Sequence, residues 1–300
     1  MTFGDFKRSR TYTSRRTRPV TAVCVWALVS WIFCESLPAQ QRSLKTEDTD
    51  LLELGRIRLE FGVEFLQGQR YSLSGLEGDL TRVGVASLRF GVGEYADFEV
   101  SGVVQDFLSV SRRYPPVIAP DFAGNATSDV GDLILATRLR FAREGNRRPA
   151  LGLKFAVQLP NASTEKGLGT DETNFFSSVL LSKRLGRVQL LGNLGLAILG
   201  SAVTPGAQAD LLTYGLAFVT PVYRRVAVFA EVHGRQGPDR VGNESQSQIR
   251  LGAQFFAAGL QWDLAAIAGL KQFDPDSGIA VGATYEFQGF HKKRSPKTIK

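Results

Sequence analysis

Of the two histidines, His233 and His291, only His233 falls inside a patterned stretch, two residues after Glu231 and on the same alternating parity. A histidine beside a carboxylate is one half of a hydrolytic site, but a nucleophile or second acid–base group must complete it. None is identifiable, so His233 reads first as a polar residue of an inner face. Asp274-Pro-Asp276-Ser-Gly278 spaces acids as a calcium loop might begin, yet five residues cannot supply six or more oxygens, and a hairpin turn accounts for it. Gly167-Leu-Gly169 opens no helix and so cradles no phosphate. The only cysteines are Cys24 and Cys34, together in one apolar stretch. This stock builds neither a Cys/His metal centre nor a disulfide framework. The expectation is a non-enzyme with no cofactor and no metal.

The remaining chemistry is charge at period two. In Ile57, Leu59, Phe61, Val63 and Phe65 every second residue is apolar, and Arg56, Arg58, Glu60 and Glu64 stand between them. Such alternation puts one set on each face of a strand. The rhythm returns in Leu133–Phe141, Leu151–Leu159, Ile249–Phe255, Trp262–Leu270 and Ile279–Phe287. Twelve strands follow, at roughly 55–66, 80–92, 98–110, 130–142, 149–160, 173–185, 187–200, 210–221, 225–236, 247–257, 261–272 and 278–287. Short connections alternate with long ones such as 67–79, 111–129 and 161–172. That pattern predicts an all-β, antiparallel up-and-down transmembrane barrel. Aromatics gather toward the short turns (Phe90, Phe98, Phe141, Phe218, Tyr223, Trp262, Tyr285), as at a membrane interface. Arg82, Asp106 and Lys183 fall on the apolar parity, and near strand ends a lipid-facing charge is tolerated.

Parity then assigns an inner face. Its candidate lumen-lining residues are Arg138, Arg140, Lys154, Gln158, Glu60, Glu64, Asp132, Glu231, His233, Arg250, Asp263, Lys271 and Glu286. Pairing strands 130–142 and 149–160 about Asn146 crowds Arg138, Arg140 and Lys154 on one wall. An acid across the lumen, Asp263 or Glu286, would offset them; left unpaired, they would attract anions or an aromatic ring.

The pI of about 9.5 and net charge of +7 invite a nucleic-acid reading. The surplus sits at the ends: between residues 40 and 290 there are 25 basic and 27 acidic residues, so the body has no excess of cations for phosphates. Residues 7–18 carry six of the basic groups and precede the apolar run 19–34 and the small Ala39. These are the parts of a secretory signal. A retained anchor would have 16 residues, short for a span, and a lipoprotein through Cys34 lacks the usual small residues before it. The expected organisation is a signal peptide at 1–39, a periplasmic N-terminal segment at 40–54, the barrel at 55–287 and a basic tail at 288–300.

Asp129-Val-Gly-Asp132 through Phe141, Arg148–Phe155, Leu159-Pro160, Gly167–Thr170, Leu181–Gly186 and Val281–Phe287 carry a resemblance. The chain resembles the outer-membrane barrels labelled "MetA-pathway of phenol degradation" over about residues 80–287, most strongly at 129–186. The motifs are hairpin patterns, and 13 residues follow Phe287 where many such barrels end on the closing aromatic. The resemblance implies a transporter-like barrel of the outer membrane that passes hydrophobic or aromatic solutes. The expected partners are outer-membrane lipid and a small-molecule solute, with no nucleic acid. The reading is a narrow passive channel. Its alternatives are a non-conducting structural or adhesive barrel and a barrel hydrolase acting through His233.

Overall fold

A computed structural model describes residues 44–290. The expected signal peptide, His291 and most of the basic tail lie outside the described residues. Thirteen strands form one antiparallel sheet: β1 (Arg56–Tyr71), β2 (Leu76–Gly91), β3 (Ala96–Arg113), β4 (Ala126–Asp129), β5 (Leu133–Ala142), β6 (Ala150–Leu159), β7 (Asn174–Leu185), β8 (Val188–Gly200), β9 (Gln208–Tyr223), β10 (Val226–Gln236), β11 (Gln246–Ala257), β12 (Leu260–Gly269) and β13 (Ser277–Gln288). Consecutive strands pair as hairpins, and β1 closes the sheet by pairing with both β2 and β13. β3 pairs with β5 along 96–101 and with β4 along 106–109. β4 and β5 are thus two halves of one interrupted stave, and the barrel has the twelve expected from the sequence.

The period-two pattern sorts as its chemistry demands. Leu59, Phe61 and Phe65 are exposed on the outer face, while Glu64 between them is buried inside. Phe141, Phe218, Tyr223, Trp262 and Tyr285 are likewise exposed at the short-turn rim, and Tyr285 stacks on Phe287 at 5.5 Å. The connection expected at 67–79 is shorter than its composition suggests, because β1 and β2 run on to Tyr71 and Leu76 and leave only four residues between them.

Arg82 and Asp106 correct the parity reading: both side chains lie inside the barrel. Gly84 adopts φ +67°, in the left-handed region that glycine occupies without strain, and inserts one residue into β2 relative to β1. The bulge puts the residues on its two sides out of phase with each other. Val85 and Arg82, three apart, both line the lumen, and so do Val103 and Asp106 on β3. Arg82 Nε then donates to Asp106 Oδ1 at 3.1 Å. Lys183 stays at the short-turn rim, where its ammonium donates to Glu144 and to the carbonyls of Gly145 and Asn146. There the Arg184 amide and Lys183 outweigh desolvation and hold the Glu144 carboxyl below its ordinary value.

Two features close the lumen. Toward the long loops, Leu66, Leu76, Leu80, Leu108 and Val110 form an apolar cluster, joined by Phe122 and Leu168 from the loops. Toward the short turns, residues 44–52 fold up into the barrel. Leu44, Thr46, Asp48, Thr49 and Leu52 are all buried. Residues 44–52 of the segment expected at 40–54 thus lie within the barrel. The segment carries Glu47, Asp48, Asp50 and Glu53, and the inner wall offers it cations and hydrogen-bond partners.

Candidate functional site: a plugged lumen

The N-terminal segment crosses the lumen from β10 to β3 without entering a β-ladder. Its anchors are mainly side chains of the wall meeting its own backbone. The Glu231 carboxylate on β10 accepts from the N–H groups of Lys45 (2.9 and 3.1 Å) and Thr46 (2.8 Å). The Asn193 amide on β8 accepts from the Glu47 N–H at 2.8 Å and donates to its carbonyl at 2.9 Å. Ser182 Oγ on β7 accepts from Thr49 N–H at 3.0 Å, and Asp97 on β3 accepts from Leu52 N–H at 3.3 Å. Gly215 on β9 gives Thr46 its seat, since a Cβ there would stand 2.5 Å from the Thr46 hydroxyl.

The crowded cations find their counter-charges on this side of the barrel. Arg138, with 2% of its side chain exposed, binds Asp97 through Nε (3.1 Å) and Nη2 (3.3 Å), a fork-on-carboxylate geometry. Its Nη1 stands 3.1 Å from Glu47, and Nη2 stands 3.8 Å from Glu99. Lys154, paired with Arg138 across the strands, donates to Glu47 and lies 3.9 Å from Glu99. Sequence parity points to Asp263 or Glu286 as the offsetting acid, and for Glu286 the structure differs. Glu286 accepts from Arg56 at 2.6 Å and Arg58 at 3.0 Å at the short-turn rim. Asp263 is buried in the cavity wall on β12. Asp97 stands directly across from Arg138 in the β3–β5 ladder, Glu47 of the segment lies against the same guanidinium, and sequence parity contains neither relation.

A second cluster lies higher on the wall. Arg250 on β11 donates to Glu64 at 3.1 Å, Arg82 reaches the same carboxylate at 3.5 Å, and Lys45 approaches it at 3.9 Å. Arg89 pairs with Glu99 at 3.2 Å. Between these clusters and the segment runs a cavity of about 560 Å³. Of the sequence candidates, Arg138, Lys154, Gln158, Glu60, Glu64, Asp132, His233, Arg250 and Asp263 line it. Glu231 is spent on the segment. Arg140 sits opposite Gly152 near the short turns, and Lys271, beyond the end of β12, donates to Gln236 among the long loops. Sequence reasoning missed Glu47, Asp97, Arg82 and Asp106 as lumen groups.

His233 Nε2 is 3.9 Å from Glu231 Oε1, but that carboxylate already accepts the Lys45 and Thr46 amides. Asp274 receives the N–H groups of Ser247 (2.8 Å) and Lys271 (3.0 Å), the bonding of a turn. No cluster of three metal-ligating side chains occurs among the described residues.

A closed twelve-stave barrel with an apolar exterior and a charged lumen defines an outer-membrane β-barrel. No family profile matches the sequence, and no curated protein matches it. Solved structures do. The fold is similar to the COG4313 outer membrane channel from Pseudomonas putida F1 (TM-score 0.55, 18% identity), over 81% of this chain and 100% of that one. That channel is of the family the hairpin motifs resemble, and the likeness is one of fold. The translocator domain of the autotransporter NalP from Neisseria meningitidis (TM-score 0.48, 13% identity) matches over 80% of this chain and 91% of that one. LpxR from Salmonella typhimurium (TM-score 0.42, 11% identity) matches over 76% of this chain and 99% of that one. The chain is an outer-membrane β-barrel.

Proposed function

We propose that the protein is a narrow passive channel, without catalytic action, gated by its own N-terminal segment. The observation that carries the reading is the cavity of about 560 Å³ beside a segment anchored by side chains and not woven into the sheet. A segment held this way leaves the lumen without breaking a single ladder bond of the barrel. The wall it would uncover carries both signs at close range, so small solutes with polar groups find partners along it, while strong selection for one charge is not expected. Hydrophobic or aromatic solutes, which the family resemblance implies, would contact Leu66, Leu80, Val85, Val103, Ile134 and Leu168 on the same cavity. Single-channel recording of the purified protein in planar bilayers tests the reading. Discrete openings, more frequent when residues 44–52 are deleted, support it. A deletion variant that folds and stays silent rejects it in favour of a structural barrel.

A further inference from the structure

The segment brings a carboxylate of its own to the crowded cations of the wall. Lys154 donates to Glu47 Oε1, and Glu47 Oε2 stands 3.1 Å from Arg138 Nη1. The fit is incomplete, because that second oxygen is buried and accepts no hydrogen bond among the described residues. Glu47 is tethered through its backbone: Asn193 holds both its N–H and its carbonyl. The tether fixes how its carboxylate meets Arg138, whereas a free carboxylate can settle into the planar, forked geometry that a guanidinium favours.

The wall has no substitute for this charge. Asp97 is already engaged by Arg138 Nε and Nη2. Glu99 is shared, 3.2 Å from Arg89 and 3.9 Å from Lys154. When Glu47 leaves, one negative charge must therefore come from elsewhere, and a monoanion replaces it charge for charge. The place is also within reach. Lys154 and Glu47 keep 17% and 21% of their side chains exposed, and both line the cavity.

The wall beyond the two cations suits an apolar body. Arg138 and Lys154 face each other in the β5–β6 ladder, and the next pair on the same face is Ala136 with Ala156. Ile134 and Gln158 follow, both on the cavity, with Ser101 beside Ile134 on β3. Four residues of strand separate Lys154 from Gln158, about 13 Å at a rise of roughly 3.3 Å per residue. That length takes a ring or a short hydrocarbon chain.

We infer that Arg138 and Lys154 are a carboxylate subsite on the solute path, held in the plugged state by Glu47, and that a small monocarboxylate with an apolar body takes the place of Glu47 and so releases the segment. The inference rests on the channel reading and names the class of solute that opens the channel. Elsewhere the cavity mixes both signs, so the preference is local: it fixes where a carboxylate stops, not which ions the open lumen conducts.

The probe is benzoate, with benzyl alcohol as the uncharged control at equal ionic strength. In single-channel recordings of the purified protein, benzoate raises the open fraction saturably and benzyl alcohol leaves it unchanged. Calorimetric titration in detergent shows benzoate bound several-fold more tightly by Glu47→Gln than by wild type, since a competitor lowers apparent affinity by the fraction of sites it holds. Adding Lys154→Gln to Glu47→Gln, where the segment no longer competes, abolishes the binding. Benzoate that binds Glu47→Gln no more tightly than wild type overturns the subsite, and so does a double variant that binds it as well as the single one. If the double variant fails to fold, the comparison of Glu47→Gln with wild type decides alone. Saturable binding by a protein that is silent in bilayers supports the subsite and overturns the channel reading. Openings in bilayers without benzoate binding to Glu47→Gln overturn the subsite and support the channel reading.

Discussion

The bond between Glu47 and Lys154 is where the plug is held by charge, and Glu47→Gln should loosen it. Glu47 also stands 3.1 Å from Arg138, a gross attraction of about 5 kcal/mol at an effective dielectric of about 20. Most of that is offset by the water both groups lose on docking, and Arg138 keeps Asp97 and Glu99 as partners. The loss therefore falls on Lys154, left with Glu99 at 3.9 Å. A hydrogen bond to a charged group contributes about 1.5–3 kcal/mol net. With about 1.4 kcal/mol to each factor of ten, the ratio of docked to released segment should fall roughly 10- to 100-fold. The measurement is the open fraction of single channels in planar bilayers. Glu53→Gln is the control, because Glu53 is 83% exposed and only 3.6 Å from Arg56. Folded Glu47→Gln protein with an unchanged open fraction, or an equal rise in Glu53→Gln, would refute the argument that the wall's cations hold the plug.

Asp97→Asn strips the buried Arg138 of its forked partner, and a broken buried pair costs about 3–5 kcal/mol; a lowered thermal midpoint of the barrel in detergent should show it, whereas Glu47→Gln leaves that midpoint nearly unmoved. Phe155→Arg on the outer face should destabilise insertion by about 2–4 kcal/mol, and Ser101→Arg, pointing into the cavity, by much less; equal losses in a lipid-refolding titration would sink the assignment of faces. Gly84→Val places a Cβ 2.6 Å from Val104 Cγ2 at a positive φ, so a loss of at least about 1–3 kcal/mol is expected, read in the same titration. Glu144 should titrate below the usual carboxylate value of about 4.3 by NMR. Its contribution to stability is present above that value and lost as pH falls through the depressed one, and Lys183→Ala should move the midpoint back up.

The staves were legible because a barrel wall repeats one rule: a residue faces lipid or lumen, and the next faces the other. Ile57 to Phe65 state it plainly, and closure follows from short turns alternating with longer loops. The rule fails where the backbone breaks its own period. Gly84 is one glycine among 31, and nothing in its neighbours marks it as a bulge. Yet it carries Arg82 and Asp106 from the outer to the inner face. A sharper signal lay in the two charges themselves. Opposite signs on adjacent strands, both out of phase with their surroundings, are more simply placed together inside than separately at a lipid boundary.

The plug was harder to read, because period and turn chemistry describe how strands lie in a sheet and not what fills the space the sheet encloses. Arg138 and Lys154 side by side require acids, and strand parity points to the far wall for them. The acids on the near side were in the sequence too. Glu47 and Asp48 open an acidic stretch that runs on through Asp50 to Glu53, directly before a barrel whose inner parity is rich in arginine. An acidic segment beside Arg138 and Lys154 meets counter-charges inside the barrel. Its charges lose water on entering but meet partners already desolvated by the wall, so the added cost is small and the attraction acts at low dielectric. The same reasoning explains why the segment is anchored through its backbone amides to Glu231, Ser182 and Asp97. With Glu47 committed to Arg138 and Lys154, the amides are the donors left to satisfy, and a buried N–H without a partner is costly.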